Sequence, residues 1–261
     1  MNQKKHTQPQ VGAQLFTIRA STRTLPDIES SLHKIRDIGF RAILICGFGP
    51  ADPKDVAKIV EDCELTVAAT HMGWGDFLGD LDTVIETHHL WKCSHAAIGG
   101  LPAEYRSLEG IARFAKELRP IAAKLRDAGL DFSYHNHSHE LVKYEGRTWL
   151  ERVYEATDPA DLKAEIDIYW ITAGGGDPAD WVRRIGKRQP LVHLKDMAVL
   201  PDRTQRFAEV GEGNLNWPAV LAACREAEVE WYLVEQDNCY DGDPFEALAT
   251  SYRNLKAMGL N

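Results

Sequence analysis

The chain has 261 residues, 44% of them hydrophobic, enough to enclose one sizeable core. A net charge of −9 argues against a binder of phosphate backbones, which would present a basic face, and suits small-molecule partners. No apolar run approaches membrane-span length, and residues 1–10 have no apolar stretch behind them to make a secretory signal. The expectation is therefore a cytoplasmic protein with neither nucleic-acid nor membrane partners.

Residues 1–10 read as a frayed tail. Residues 11–16 form the first expected strand, followed by a polar stretch over 17–24. A helix follows, with Pro26 near its first turn, Ile28, Leu32, Ile35 and Ile38 at helical spacing, and Gly39 as its stop. Residues 42–46 make a short apolar strand, and Asp52-Pro53 opens a second helix through Cys63. The third strand, 66–71, runs into Gly73-Trp74-Gly75, a loop signal. A helix over about 80–91 leads to strand four, 95–98, ended by Gly99-Gly100. Residues 108–128 spell a long helix stopped by Gly129, with Pro120 as a candidate kink.

Strand five covers 131–137, and a helix covers 148–156. Strand six, 162–168, is ended by Gly174-Gly175-Gly176. Asp177-Pro178 then opens a helix to Ile185, an N-cap aspartate ahead of an N1 proline. Strand seven is 191–195 with its helix over 217–227, and strand eight is 231–235 with the last helix over 244–258.

Eight strands alternating with eight helices, with no linker marking a boundary, predict a single α/β domain over 11–261. A count of eight favours closure into a (β/α)8 TIM barrel. The competing open, doubly wound sheet would want G-x-G-x-x-G after its first strand, where this chain has Thr-Ile-Arg-Ala-Ser. The five cysteines, Cys46, Cys63, Cys93, Cys224 and Cys239, are widely spaced without a C-x-x-C pair and read as reduced thiols.

In such barrels the active site gathers at the C-terminal strand ends. Those ends carry His71, His95 nearby, Tyr134-His135-Asn136-His137 with Glu140 just after, Glu165 and Asp167, His193 and Lys195, and Glu235-Gln236-Asp237. Over 192–196 the period-two pattern puts Val192 and Leu194 on one face and His193 and Lys195 together on the other. Carboxylates gathered in one cavity repel unless they are protonated or share a cation. The mixed oxygen and nitrogen set predicts one divalent metal ion, Mn²⁺, Mg²⁺, Co²⁺ or Zn²⁺. Each piece also has a plain structural reading. Asp167 could cap a turn, Glu235 could pair with a rim lysine, and Trp74, Tyr169, Trp170 and Trp231 could be packing. Their joint occurrence at one end of a barrel favours a site.

Taken together, Tyr-His-Asn-His-x-x-Glu (134–140), Ile-Asp-Ile-Tyr-Trp (166–170), Val-His-Leu-Lys-Asp (192–196), Val-Gly-Glu-Gly-x-Leu-x-Trp (210–217) and Val-Glu-Gln-Asp (234–237) resemble the xylose isomerase-like barrel superfamily. The likeness is to its sugar phosphate isomerase/epimerase branch, and the opening Gly-Ala-Gln-Leu-Phe-Thr-Ile-Arg (12–19) fits it too. The resemblance implies a metal held by Glu, Asp, His and Glu from strands five to eight, of which Asp167, His193 and Glu235 fill three positions. Matching on Tyr134 puts the neutral Asn136 at the fourth. Glu140, four residues on, is the carboxylate expected to complete the set, with Asn136 as the contender.

The chemistry implied is proton abstraction beside a metal-polarised carbonyl of a keto-sugar or cyclitol, through an enediolate. Glu235 is expected as one base. His135 or His137 is expected opposite, with an unperturbed imidazole pKa near ~6.5 suited to proton shuttling. Lys195 is expected to anchor or polarise a substrate oxygen, and His71, Asn136, Trp74 and Tyr169 to line the substrate. Isomerisation or epimerisation leads. Dehydration of a keto-sugar or inosose is the alternative, and a non-catalytic sugar-binding barrel the third reading. A nuclease of the endonuclease IV type shares the fold but would want a basic surface. No cluster of basic residues on a loop marks a phosphate site, which favours a non-phosphorylated substrate. Acidic barrels of this family often pair, so a homodimer is one expected assembly.

Overall fold

In a computed structural model that describes residues 10–260, eight parallel strands close into a barrel. They are β1 (Gln10–Gln14), β2 (Ala42–Ile45), β3 (Thr66–Met72), β4 (His95–Ile98), β5 (Asp131–His135), β6 (Lys163–Asp167), β7 (Leu191–Leu194) and β8 (Trp231–Val234). Neighbours in sequence are neighbours in the sheet, and β8 pairs with β1 to close the ring, Gln10 opposite Trp231 and Ala13 opposite Val234. The expected tail lies outside the described residues except for Gln10, which begins β1.

The outer faces of the strands pack on a ring of helices. Leu25–Ile38, Pro53–Asp62, Leu81–Leu90, Leu108–Asp127, Trp149–Ala156, Pro178–Ile185, Trp217–Glu226 and Pro244–Ala257 form that ring. Each starts on a Ser, Thr, Asp or Asn whose side chain accepts an otherwise unpaired backbone N–H: Thr24, Asp52, Asp80, Ser107, Thr148, Asp177, Asn216 and Asp243. These caps lie just beyond the loops that leave the C-terminal strand ends, so they fix where each loop stops. Pro120 does not break its helix. It sits on the exposed face, where the carbonyl it leaves unpaired can turn to water.

Two apolar layers result. Between strands and helices lies the main core, which includes Ile43, Val67, Tyr134, Ile166, Val192, Leu194 and Val234. Inside the barrel a smaller cluster of Ala42, Leu44, Ala68, Ala69, Leu191, Trp231 and Leu233 plugs the lower part. Because side chains alternate along a strand, residues two further on from this plug also point inward. That places His193 above Leu191 and Glu235 above Leu233, as the period-two reading of 192–196 requires. Trp74–Gly79, expected as loop at its start, is a short helix ahead of the one that begins at Leu81. The chain after β7 forms an antiparallel hairpin, Asp196–Val199 with Gln205–Ala208.

Candidate metal centre

Four side chains converge at the C-terminal ends of β5 to β8: His135, Asp167, His193 and Glu235. One donor atom from each lies within 4.8 Å of the others, and all four residues are buried. Asp167 and His193 are register partners across β6 and β7, which sets them at one height. His135 Nε2 is 3.1 Å from Asp167 Oδ2, and His193 Nδ1 is 2.8 Å from Glu235 Oε2.

A second layer holds these four. His193 donates from Nε2 to Glu165 Oε1 at 2.9 Å, and His71 donates from Nε2 to Glu165 Oε2 at 2.8 Å. Glu165 is thus a wholly buried carboxylate between two imidazoles. Gln14 donates to Glu235 Oε1 at 3.0 Å, tying the first strand to the last. Asp167 Oδ1 accepts from Trp170 N at 3.0 Å as the cap of the short helix Ile168–Ala173, and Asn136 Oδ1 accepts from Asp167 N at 3.0 Å. Lys195 Nζ lies 3.0 Å from Asp167 Oδ2, 2.8 Å from Glu235 Oε2 and 2.7 Å from Asp237 Oδ2, with its side chain 1% exposed.

Burial alone would drive every one of these groups neutral, so the ion pairs decide their charge. Burial pulls His193 down, but the Glu165 carboxylate beside it prevails and lifts it to about 10. His71 rises to about 9 for the same reason. Burial pushes Glu165 up, yet His71 and His193 hold it far below the usual carboxylate range. Glu235 is likewise held low, by Lys195 and His193 against its burial. Asp167 goes the other way, raised by burial. Asp237 reaches about 6 through burial and the neighbouring Glu235. His135 is pushed well below its ordinary value by burial and then by the other positive side chains around it, so it is a neutral imidazole.

The donor set fits a divalent transition ion. Two carboxylates and two imidazoles match Mn²⁺, Co²⁺ or Zn²⁺ better than Mg²⁺, which prefers oxygen throughout. His193 gives its Nε2–H to Glu165 and so turns Nδ1 towards the other donors, the usual arrangement for a ligating histidine. Three carboxylates around Lys195 leave surplus negative charge for a cation to neutralise.

Not every expected residue joins this set. Glu140 lies in a separate group with His137 and His139. Its Oε1 accepts from Tyr134 Oη at 2.8 Å and its Oε2 from His137 N at 2.9 Å, so both oxygens are engaged in closing the loop after β5. Asn136 braces Asp167 from behind. The β5 residue that joins the set is His135, expected as a base. His137 stands at the edge of the centre, its ring 4.9 Å from that of His135 and 5.3 Å from that of Trp170. His71 is outside the four but beside them: it bonds Glu165 and stacks on His193, ring centres 5.3 Å apart. Trp74 is 3% exposed, packed on Phe114 and Phe132, and touches an adjacent cleft rather than the donors. Tyr169 stacks on Phe207 of the hairpin at 4.2 Å. His95 starts β4, at the opposite end of the barrel. Of the surrounding residues, Gln14 stands in the sequence reading only within the opening motif, Glu165 and Asp237 among the strand-end residues without an assigned role, and Trp170 as a packing residue, although alternation along 163–167 puts Glu165 on the same inner face as Asp167.

Residues 32–258 match the family model described as xylose isomerase-like TIM barrel. The chain belongs to that family. No curated protein matches it significantly in sequence. Among solved structures, this xylose isomerase-like barrel is similar to a sugar phosphate isomerase/epimerase from Parabacteroides distasonis, at 22% identity and a TM-score of 0.79 over 98% of this chain and 96% of that one. It is also similar to a D-allulose 3-epimerase from Methylomonas sp., at 14% identity and TM-score 0.71, covering 98% and 99% of the two chains. A probable 3-DHS dehydratase from Bacillus anthracis matches at 15% identity and TM-score 0.70, covering 95% and 98%. At these identities the likeness is one of fold.

Proposed function

We propose that this barrel is a divalent-metal-dependent enzyme that moves a proton beside the carbonyl of a small carbohydrate, by isomerisation or epimerisation. The observation that carries the reading is the buried set of His135, Asp167, His193 and Glu235 at the strand ends where such barrels do chemistry. Bound there, a divalent ion supplies a Lewis acid for the carbonyl and for the negative charge that develops as the neighbouring carbon is deprotonated. His135, rather than Glu140, provides the β5 ligand.

The remaining work falls to this chain's own groups. Glu235 is ionised and steadied by Gln14, so it presents a carboxylate to one side of the substrate as base. His137, on the loop after β5, offers an imidazole from another direction to return the proton. Lys195, held between three carboxylates, keeps its proton at all working pH values and donates a hydrogen bond to a substrate oxygen. Trp170 lies beneath that ammonium, 5.6 Å from ring centre to Nζ, and its face walls the site. The pairing of a carboxylate with an imidazole is unsymmetrical. That favours, as the second reading, a dehydratase in which abstraction of the same proton expels a hydroxyl.

Calorimetric titration of chelator-treated protein with Mn²⁺ tests the centre. One ion per chain is expected, lost in Asp167→Ala and His135→Ala, and absence of binding by the unmodified protein overturns the proposal. Ketoses incubated in deuterated water with the loaded protein then separate the two reactions: deuterium at the carbon beside the carbonyl marks isomerisation or epimerisation, and loss of water marks dehydration.

A further inference from the structure

The run His-x-His-x-His-Glu over 135–140 carries more metal-capable side chains than the four-residue centre takes from β5. His137, His139 and Glu140 form a group of their own, in which one donor atom from each lies within 4.8 Å of the others. None of the three belongs to the set of His135, Asp167, His193 and Glu235. All three come from four consecutive residues, so they are brought together by the loop itself.

Glu140 is the fixed member. Its side chain is 1% exposed, with Oε1 accepting from Tyr134 Oη at 2.8 Å and Oε2 from His137 N at 2.9 Å. His139 is the adjustable one: its side chain is 36% exposed, and Nε2 lies 3.1 Å from the same Glu140 Oε1. The pair His135 Nε2 and Asp167 Oδ2 in the four-residue centre has the same 3.1 Å spacing. In each pair a proton stands between nitrogen and oxygen where a cation could stand. A tetrahedral Zn²⁺ with bonds of about 2.0–2.2 Å sets its ligand atoms about 3.3–3.5 Å apart, so the two atoms need to part by only a few tenths of an ångström. Tyr134 Oη would stay on the carboxylate as its outer partner. His137 stacks on His139, ring centres 5.7 Å and planes 19° apart, and its Nδ1 is buried without a hydrogen-bond partner. Such an orphaned nitrogen carries a desolvation cost that a bound ion removes. Both histidines line a cleft of about 580 Å³, together with Trp74, Gly100 and Arg106, which gives an ion its way in.

We propose that His137, His139 and Glu140 make a second metal site, selective for Zn²⁺ over Mn²⁺. Two imidazoles and one carboxylate are a zinc set that leaves a position for water. Three ligands with a single carboxylate hold Mn²⁺ weakly, because it stands at the foot of the affinity order for such donors. An ion there takes the lone pair with which the His137 imidazole accepts and returns a proton. Zinc is then a brake on the reaction proposed above. That consequence rests on the proposed function, whereas the site itself does not.

The test is calorimetric titration of the chelator-treated full chain with Zn²⁺ and, separately, Mn²⁺, with a thermal melt to check that each variant is folded. Zn²⁺ is expected to fill two sites per chain in the parent, one in His139→Ala and one in Asp167→Ala. Mn²⁺ should fill one site in the parent and one in His139→Ala. His139→Cys, which offers a thiolate in place of the imidazole, should regain the second Zn²⁺. Carbethoxylation by diethyl pyrocarbonate, mapped by peptide mass spectrometry, locates the ion: Zn²⁺ should suppress modification of His137 and His139, and Mn²⁺ should leave it unchanged. A parent that takes one Zn²⁺ still bound by His139→Ala, or a second Zn²⁺ that survives His139→Ala, overturns the proposal. A single Zn²⁺ that is lost in His139→Ala and kept in Asp167→Ala supports it and sinks only the four-residue centre.

Discussion

Glu165 and His193 are joined by a 2.9 Å hydrogen bond from the imidazole Nε2 to the carboxylate Oε1, with both side chains wholly buried in the barrel. The bond settles which nitrogen of His193 faces the other donors. The Glu165 carboxylate bonds His193 among the four donors, and its other oxygen is taken by His71. Glu165→Gln keeps the shape but weakens the acceptor and presents an N–H₂ to His71. Mn²⁺ affinity is expected to fall roughly 10- to 100-fold. Calorimetry beside a thermal melt checks this. An unchanged affinity with a lowered melting temperature would leave Glu165 a purely structural role.

Removing the buried ammonium should be felt differently with and without an ion. Lys195→Met leaves Asp167, Glu235 and Asp237 facing one another with no cation between them. A loss of about 3–5 kcal/mol is expected for chelated protein in urea denaturation. Saturating Mn²⁺ should restore more stability to the variant than to the parent. Equal stabilisation of both proteins would mean that Lys195 and the ion do not share the same carboxylates.

Glu140 gives a pH signature. Burial would raise its carboxyl, but the hydrogen bonds from His139 and Tyr134 hold it below its ordinary 4.5. A carboxyl depressed in the folded state contributes its stability in full above the unfolded value and loses it as pH falls through the folded one. Glu140→Gln should therefore cost about 1–3 kcal/mol at pH 7. The difference from the parent should shrink once the pH drops below 4.5. Mn²⁺ affinity is expected to be unchanged, and its loss would return Glu140 to the donor set.

Asp196 is a hub of another kind. Its two oxygens accept from Gly211 N at 2.9 Å, Gly213 N at 3.1 Å, Leu215 N at 3.2 Å and Trp217 Nε1 at 2.6 Å, as well as from Met197 N. A side chain at Gly213 would start 2.3 Å from Asp196 Oδ1, so the close approach needs glycine. Asp196→Asn sets an amide N–H₂ against the Met197 and Leu215 N–H donors or, turned over, against those of Gly211, Gly213 and Trp217. A loss of about 2–4 kcal/mol is expected, with faster amide exchange over 211–215 by mass spectrometry. Unchanged exchange would show that the loop is held by its other contacts.

The barrel was legible because its strands are short apolar runs separated by capped helices. At β5, strict alternation would also have found the ligand. Tyr134 packs outward on Phe114 and Trp149, which turns Ser133 and His135 inward and leaves Asn136 past the strand end. The motif match overrode that signal. The hairpin Asp196–Val199 with Gln205–Ala208 left no such trace, since Gln205 and Arg206 are exposed and its strands bury no continuous face. The cleft was illegible for another reason: Arg106 lies on the loop after β4 and His137 and His139 on the loop after β5, and pairing of those two strands makes them neighbours.

Closure between the first strand and the last has a consequence for biogenesis. The four donors emerge from the ribosome in the order His135, Asp167, His193 and Glu235, and Glu235 lies at the end of the strand that seals the ring against Gln14. On the proposed assignment a nascent chain would display three of the four donors while the last is still unmade, so an ion captured early would meet an unfinished cage. Loading of the proposed site would then wait for the final strand, whose synthesis sets the earliest moment at which the cage can close.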